Sequence, residues 1–310
     1  MIAAVSMLMR DDRGALAARA YAVCEHLART HYENFPVASR LLPRAIRPHV
    51  AAVYAFARLA DDFADEGDRS PEERHRLLDG WLERLHVAAE GSAGRAATDE
   101  DLVFVAVGRT IRDCGLPVSL FEDLISAFRQ DVTKRRYADW SEVFDYCRRS
   151  ANPVGRLVLR IAGHHDPVLD RASDALCTAL QLANFWQDLE RDWGRGRLYL
   201  PLADRDACGA VDADLDARRV SPAWRKVLEG AARRTRDRFE AGRPVCDGVG
   251  GRLRWELRLT WLGGTRILER LEQRGFDVFD ARPALGWRDA PLLLWRLGTW
   301  KRAGLHSPVV

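Results

Sequence analysis

The chain contains no uninterrupted run of about 18 apolar residues, so hydropathy excludes a membrane-spanning helix. It also contains no closely spaced cysteine pair. Cys24, Cys114, Cys147, Cys177, Cys208 and Cys246 are scattered along the sequence, which argues against a zinc ribbon or a disulfide scaffold and for thiols in a reducing cytoplasm. A large excess of charge of one sign is missing as well. The formal net charge is only +3, and composition does not call for a nucleic-acid partner. Lysine is scarce, and arginine with abundant alanine reflects a GC-rich genome as readily as a function. The N-terminal MIAAVSMLMRDDR has a short apolar run but neither a basic stretch before it nor a cleavage site, so no secretory signal is expected. P-loop, dinucleotide-fingerprint, zincin and nucleophile-elbow patterns are all absent, which disfavours the corresponding enzyme classes. No strand alternation, hairpin signal or internal repeat occurs. The expectation is a soluble, cytoplasmic protein with at most peripheral membrane contact.

What remains is helical periodicity. An apolar fraction of 47% suffices for a sizeable core. Spacing, proline and glycine predict helices over 13–31, 50–65, 71–89, 102–113, 118–132, 140–149, 154–162, 168–193, 222–241 and 252–274. Ser70 and Glu73 form a capping box around Pro71, at the first position of its helix. Residues 90–101 and 202–219 read as loops. The class is all-α, a single domain over 1–310, with a site built from facing helices of a bundle.

Two helices carry polar lines through apolar surroundings. In 50–65, Tyr54, Arg58, Asp61 and Asp65 recur at four, three and four residues, on one face. In 168–193, Gln181, Asn184, Asp188 and Asp192 recur at three, four and four. Carboxylates on an apolar helix are costly unless a cation neutralises them. Arg58 meets part of that need, and Mg²⁺, which takes a few carboxylates together with phosphate oxygens, meets it better. Taken alone, the first cluster is equally well read as the solvated end of a helix. The second makes the pair strong. Arg195 and Arg197 follow closely; they suit a diphosphate and equally suit a helix C-terminus. Tyr146, Ser150 and Gly155 flank the Asn152-Pro153 break, which lines a pocket or simply joins two helices. His164-His165-Asp166 lacks metal-site spacing.

Together these stretches resemble the squalene/phytoene synthase family. The likeness rests on the segment from Tyr54 to Glu66, on Gln181 and Asn184 through Asp192, on Tyr199-Leu200-Pro201, on the stretch from His31 to Ser39, and on Tyr146 to Gly155. It runs from about residue 19 to 279. The resemblance implies an all-α isoprenoid synthase fold with a central cavity. It implies Mg²⁺ on Asp61, Asp65, Asn184, Asp188 and Asp192, and diphosphate- or pocket-facing roles for Phe35, Tyr54, Arg58, Tyr146 and Gln181. Arg197 joins the substrate-binding set through its place beside the second motif.

Departures from the family pattern narrow the expectation. Two-step condensing members usually carry Asn-x-x-Arg-Asp-x-x-Glu-Asp in the second motif, where this chain has Gln187 and Arg191. The stretches Phe185 to Asp188 and Asn34 to Ala38 look most like the hopanoid-pathway branch. The implied reaction is conversion of presqualene diphosphate to hydroxysqualene by loss of diphosphate and capture of water, coupled to other enzymes of the squalene route. Tyr146 or Tyr54 would position the water. The rivals are head-to-head condensation of farnesyl or geranylgeranyl diphosphate, and a non-catalytic helical partner protein. Finally, 287–302 mixes Trp and Leu with Arg and Lys, as either an interfacial segment or a last core helix with a basic end.

Overall fold

The structure, a computed structural model, describes residues 2–30, 41–91 and 97–301, with side chains in the first helix from Gly14 onward. Among the described residues there is no β-strand, and a lone parallel bridge joins Arg136 to Leu198. The fold is all-α. The chain separates into two compact units, residues 1–132 with 157–164, and residues 133–156 with 165–310.

The first unit contains α1 (Ile2–Thr30), α2 (Arg47–Asp65), α3 (Pro71–Ala89), α4 (Asp99–Cys114) and α5 (Val118–Thr133). Helix α1 begins well before the expected residue 13, and α4 starts three residues earlier than expected. Thr98 explains the latter: its side chain accepts from the Asp101 N–H while Asp101 accepts from the Thr98 N–H, satisfying amides the helix leaves open. The Ser70–Glu73 box is present as read from sequence. The core is an aromatic cluster in which Phe56 of α2 meets Trp81 at 5.7 Å, Phe104 at 6.1 Å and Phe121 at 5.3 Å. Truncating the fully buried Trp81 should cost about 4 kcal/mol. The cluster fixes the face of α2 opposite its polar line.

In the second unit follow α6 (Trp140–Ser150), α7 (Asn152–Ile161, whose last residues belong to the first unit), α8 (Pro167–Gln187) and α9 (Leu189–Gly194). Then come α10 (Leu202–Cys208), α11 (Asp212–Asp216), α12 (Pro222–Gly242), α13 (Val245–Gly248), α14 (Gly251–Gln273), a 3₁₀ turn (Trp287–Asp289) and α15 (Ala290–Gly298). Two expectations change here. The stretch 168–193 is not one helix but α8 and α9, divided at Asp188. Residues 202–219 are not loop throughout, because α10 and α11 form there as helices too short for apolar periodicity to reveal. Helix α8 packs on α12, and the buried Trp186 indole donates to Thr235 Oγ1 at 2.8 Å. Gly155 lets α7 approach α8 closely, since a Cβ there would lie 2.3 Å from Ser173 Oγ and 2.6 Å from Cys177 Sγ.

None of the six cysteines is disulfide-bonded. Burial pushes the thiols of Cys24, Cys177 and Cys246 up to about 12, so they stay protonated and unreactive. No described helix is long and apolar enough to cross a membrane.

Candidate active site

On α2 the side chains of Tyr54, Arg58, Asp61 and Asp65 are all half-buried, between flanking residues Val53, Ala55, Ala60 and Ala64 that are buried. Asp61 and Asp65 lie one turn apart, roughly 6 Å along the axis. Arg58 Nη2 meets Asp62 Oδ1 at 2.8 Å, so this arginine braces the acidic end of α2 along the helix. The end of α2 has a support that sequence reasoning missed. Arg74 of α3 donates to the carbonyls of Phe63 at 3.1 Å, Glu66 at 3.3 Å and Gly67 at 2.7 Å. A guanidinium on the last carbonyls of a helix satisfies open acceptors and complements the negative end of its dipole. Phe35 lies outside the described residues.

The second polar line is carried differently. Gln181 and Asn184 sit half-buried on α8. Asp188 is the junction residue, with φ −101° and ψ 11°. The hydrogen-bond ladder nevertheless continues through it: its N–H donates to Asn184 O at 2.8 Å, and Asp192 N–H donates to Asp188 O at 2.9 Å. Asp188 and Asp192 therefore keep one-turn spacing across the break. Arg282 grips Asp188 in bidentate fashion, Nε to Oδ1 at 2.5 Å and Nη2 to Oδ2 at 2.8 Å. Beside it, the buried Gln187 amide donates to the Pro283 carbonyl. Further back, Arg218 donates to Phe279 O at 2.5 Å and pairs with Glu190. The extended segment around residues 279–283 is thus strapped across the α8–α9 junction. Arg191 is two-thirds exposed and 3.9 Å from Asp188.

Arg197 is buried just beyond the turn at Gly196, whose φ of +75° favours glycine. This stretch runs alongside 135–138. Leu198 N–H donates to Arg135 O at 3.0 Å, and Leu202 N–H to Tyr137 O at 2.9 Å. The pairing sets Arg135 and Arg136 next to Arg197, a basic grouping that only the fold reveals. Tyr146 is buried in an aromatic cluster with Tyr137 (5.9 Å), Phe185 (6.0 Å) and Tyr199 (5.7 Å), and Phe185 stacks on Tyr199 at 3.7 Å. Of these partners, Tyr137 carried no signal in sequence.

Among the described residues no three His, Cys, Asp or Glu side chains are gathered closely enough to hold a metal by themselves. Each aspartate pair instead supplies two carboxylates, of which that of Asp188 is engaged by Arg282. That donor set fits Mg²⁺, which uses one or two carboxylates and completes its shell with water and substrate phosphate.

The sequence profile of the squalene/phytoene synthases matches residues 28–289. A hydroxysqualene synthase of Rhodopseudomonas palustris is 40% identical over 246 residues, covering 78% of this chain and 80% of its own length. One from Sinorhizobium fredii is 35% identical over 244 residues, with coverage of 78% and 80%. Among solved structures, the squalene synthase HpnC from Alicyclobacillus acidocaldarius superposes with a TM-score of 0.77 at 42% identity, covering 84% of this chain and 96% of that one.

Proposed function

The chain belongs to the squalene/phytoene synthase family, and within it we propose that it converts presqualene diphosphate to hydroxysqualene with Mg²⁺ as its metal. The observation that carries this reading is the likeness to hydroxysqualene synthases over four-fifths of their length. Gln187 supports it. Where condensing members carry a charged arginine, this chain has a neutral amide that is buried and spent on the Pro283 backbone.

Asp61, Asp65, Asn184, Asp188 and Asp192 would hold the metal, whose chemistry when bound is to neutralise charge on a departing diphosphate. Arg58 and Arg197 would bind diphosphate oxygens, a task for which the planar guanidinium is suited. Phe35, Tyr54 and Gln181 would face the prenyl chains. The bond between the substrate carbon and the diphosphate oxygen breaks, and the electron pair leaves with diphosphate. The resulting cyclopropylcarbinyl cation rearranges against aromatic faces that favour positive charge. A water oxygen then forms the new C–O bond and loses a proton, so presqualene diphosphate and water give hydroxysqualene, diphosphate and a proton. No reductant is consumed. Tyr146 or Tyr54 orients the attacking water. The product is a water-insoluble alcohol, and the reading therefore includes work at the cytoplasmic face of a membrane.

The test is to incubate the purified protein and Mg²⁺ separately with presqualene diphosphate and farnesyl diphosphate, and to identify the lipids by mass spectrometry. Hydroxysqualene from the first, with the second untouched, is expected. Consumption of farnesyl diphosphate would replace this reading with head-to-head condensation. No turnover of either, together with a stable complex with another synthase, would favour a partner protein.

A further inference from the structure

Helix α15 has the sequence APLLLWRLG, yet none of its residues is buried. Trp287 is 81% exposed, and Leu294 and Trp295 are each 64% exposed. An apolar patch of this kind on a soluble protein marks a contact surface. The segment is not a loose tail, because it is fixed at both ends, to α14 at one and to Arg243 and α13 at the other. At one end the buried Asp289 pairs with Arg266 at 3.0 Å and Arg270 at 2.8 Å. Burial alone would raise the Asp289 carboxyl, but the Gly286 N–H and the two arginines hold it below the usual range. At the other end the Trp300 indole donates to Asp247 at 3.1 Å, and Arg243 donates to Lys301 O at 2.8 Å while lying 4.7 Å from the Trp300 ring. Arg296 pairs with Glu269 at 2.7 Å in between. Under α15 opens a cleft of about 570 Å³ whose lining includes Arg243, Trp261, Trp295, Arg296, Trp300 and Lys301.

The surface thus combines exposed indoles and leucine with the exposed cations Arg288 and Lys301, while Arg296 is paired with Glu269. The single acid of 287–301, Asp289, is turned inward and neutralised. A nine-residue helix is far too short to span a bilayer, which takes about 20 residues. It is suited to lie in the interface, where tryptophan concentrates and Lys and Arg meet lipid phosphate. A second copy of this chain fits less well, since a two-fold contact through one shared patch would bring like cations together.

We propose that the α15 platform docks on an anionic phospholipid bilayer, with Trp287, Leu294 and Trp295 entering the headgroup region and Arg288 and Lys301 on the lipid phosphates. This extends the membrane-surface part of the proposed function and can be tested without turnover.

The experiment is flotation of the full chain with vesicles of pure phosphatidylcholine and of an equimolar phosphatidylcholine–phosphatidylglycerol mixture, at low and physiological salt. The wild type is expected to float with the anionic vesicles and to lose affinity as salt rises, each surface cation contributing about fivefold in partitioning. The double variant Leu294→Glu/Trp295→Glu should bind at least about tenfold more weakly. Its thermal melt should match the wild type, because both side chains are solvent-exposed. Brominated lipids should quench wild-type tryptophan emission and leave the variant's largely unchanged. Absence of flotation with the anionic vesicles would overturn the proposal, as would equal flotation of variant and wild type, or equal binding to neutral and anionic vesicles. So would a lipid-free dimer that the same variant dissolves, since it would identify a second copy as the occupant. Presqualene diphosphate turnover without vesicles reports on the reaction separately.

Discussion

Helices α2 and α8–α9 carry the same device, two aspartates one turn apart on an apolar helix, but they hold it in different ways. Helix α2 is unbroken through Asp61 and Asp65. Its acidic end is braced by Arg58 on Asp62 and closed by Arg74 on its last carbonyls. In the second case the helix divides at Asp188, and a guanidinium from a distant strap occupies both carboxylate oxygens. Their anchors differ too. Helix α2 is tied to α1 and α4 through a titratable group, His49, whose Nδ1 lies 3.2 Å from Tyr21 Oη and 3.0 Å from Thr110 Oγ1. Helix α8 is tied to α12 by Trp186 and Thr235, which do not titrate near neutral pH. A motif defined by spacing can thus rest on two supports with different sensitivities.

The largest expected effect tests what the two faces share. Asp61→Ala and Asp188→Ala should each lower Mg²⁺-dependent turnover at least about a hundredfold, the scale of losing one charge-stabilising group at a reacting centre. Full activity in either variant would break the symmetry assumed between the motifs. The next effect should separate them. Metal binding at Asp188 must compete with Arg282, so Arg282→Ala should tighten Mg²⁺ binding in the absence of substrate. Because the pair is partly exposed, a gain of about three- to tenfold is expected, measured by titration calorimetry. An equivalent gain should not follow from Arg74→Ala, which touches backbone only. That variant should instead destabilise the end of α2 by about 1 kcal/mol, seen as faster amide exchange over residues 62–67. The smallest effect concerns pH. Burial holds the His49 imidazole below its ordinary value of about 6.5. The unfolded chain therefore takes up a proton first, and His49 contributes stability that is present above pH 6.5 and is lost as pH falls from there through the folded value. Denaturant melts between neutral and acidic pH should show this slope, and His49→Gln should flatten it.

Much of this was legible beforehand because it is local. The polar lines follow from intervals of three and four residues, and the α3 start follows from Ser70, Pro71 and Glu73. The break at Asp188 was not legible. Its partner Arg282 lies 94 residues away in sequence, and neither Asp188 nor its neighbours is a helix breaker. Arg74 escaped notice because it acts on carbonyls, for which no side-chain pattern exists. Tyr137, Arg135 and Arg136 reach the Tyr146 and Arg197 neighbourhood only through backbone pairing of 135–138 with 198–203. The helices α10 and α11 are too short for apolar periodicity to register.

The central claim is that departure of diphosphate is followed by capture of water. It is tested most directly by running the presqualene diphosphate reaction with Mg²⁺ in heavy-oxygen water and weighing the product. The account predicts hydroxysqualene whose single hydroxyl carries the heavy isotope in full. A hydrocarbon product without oxygen, or an alcohol carrying only ordinary oxygen, would contradict it.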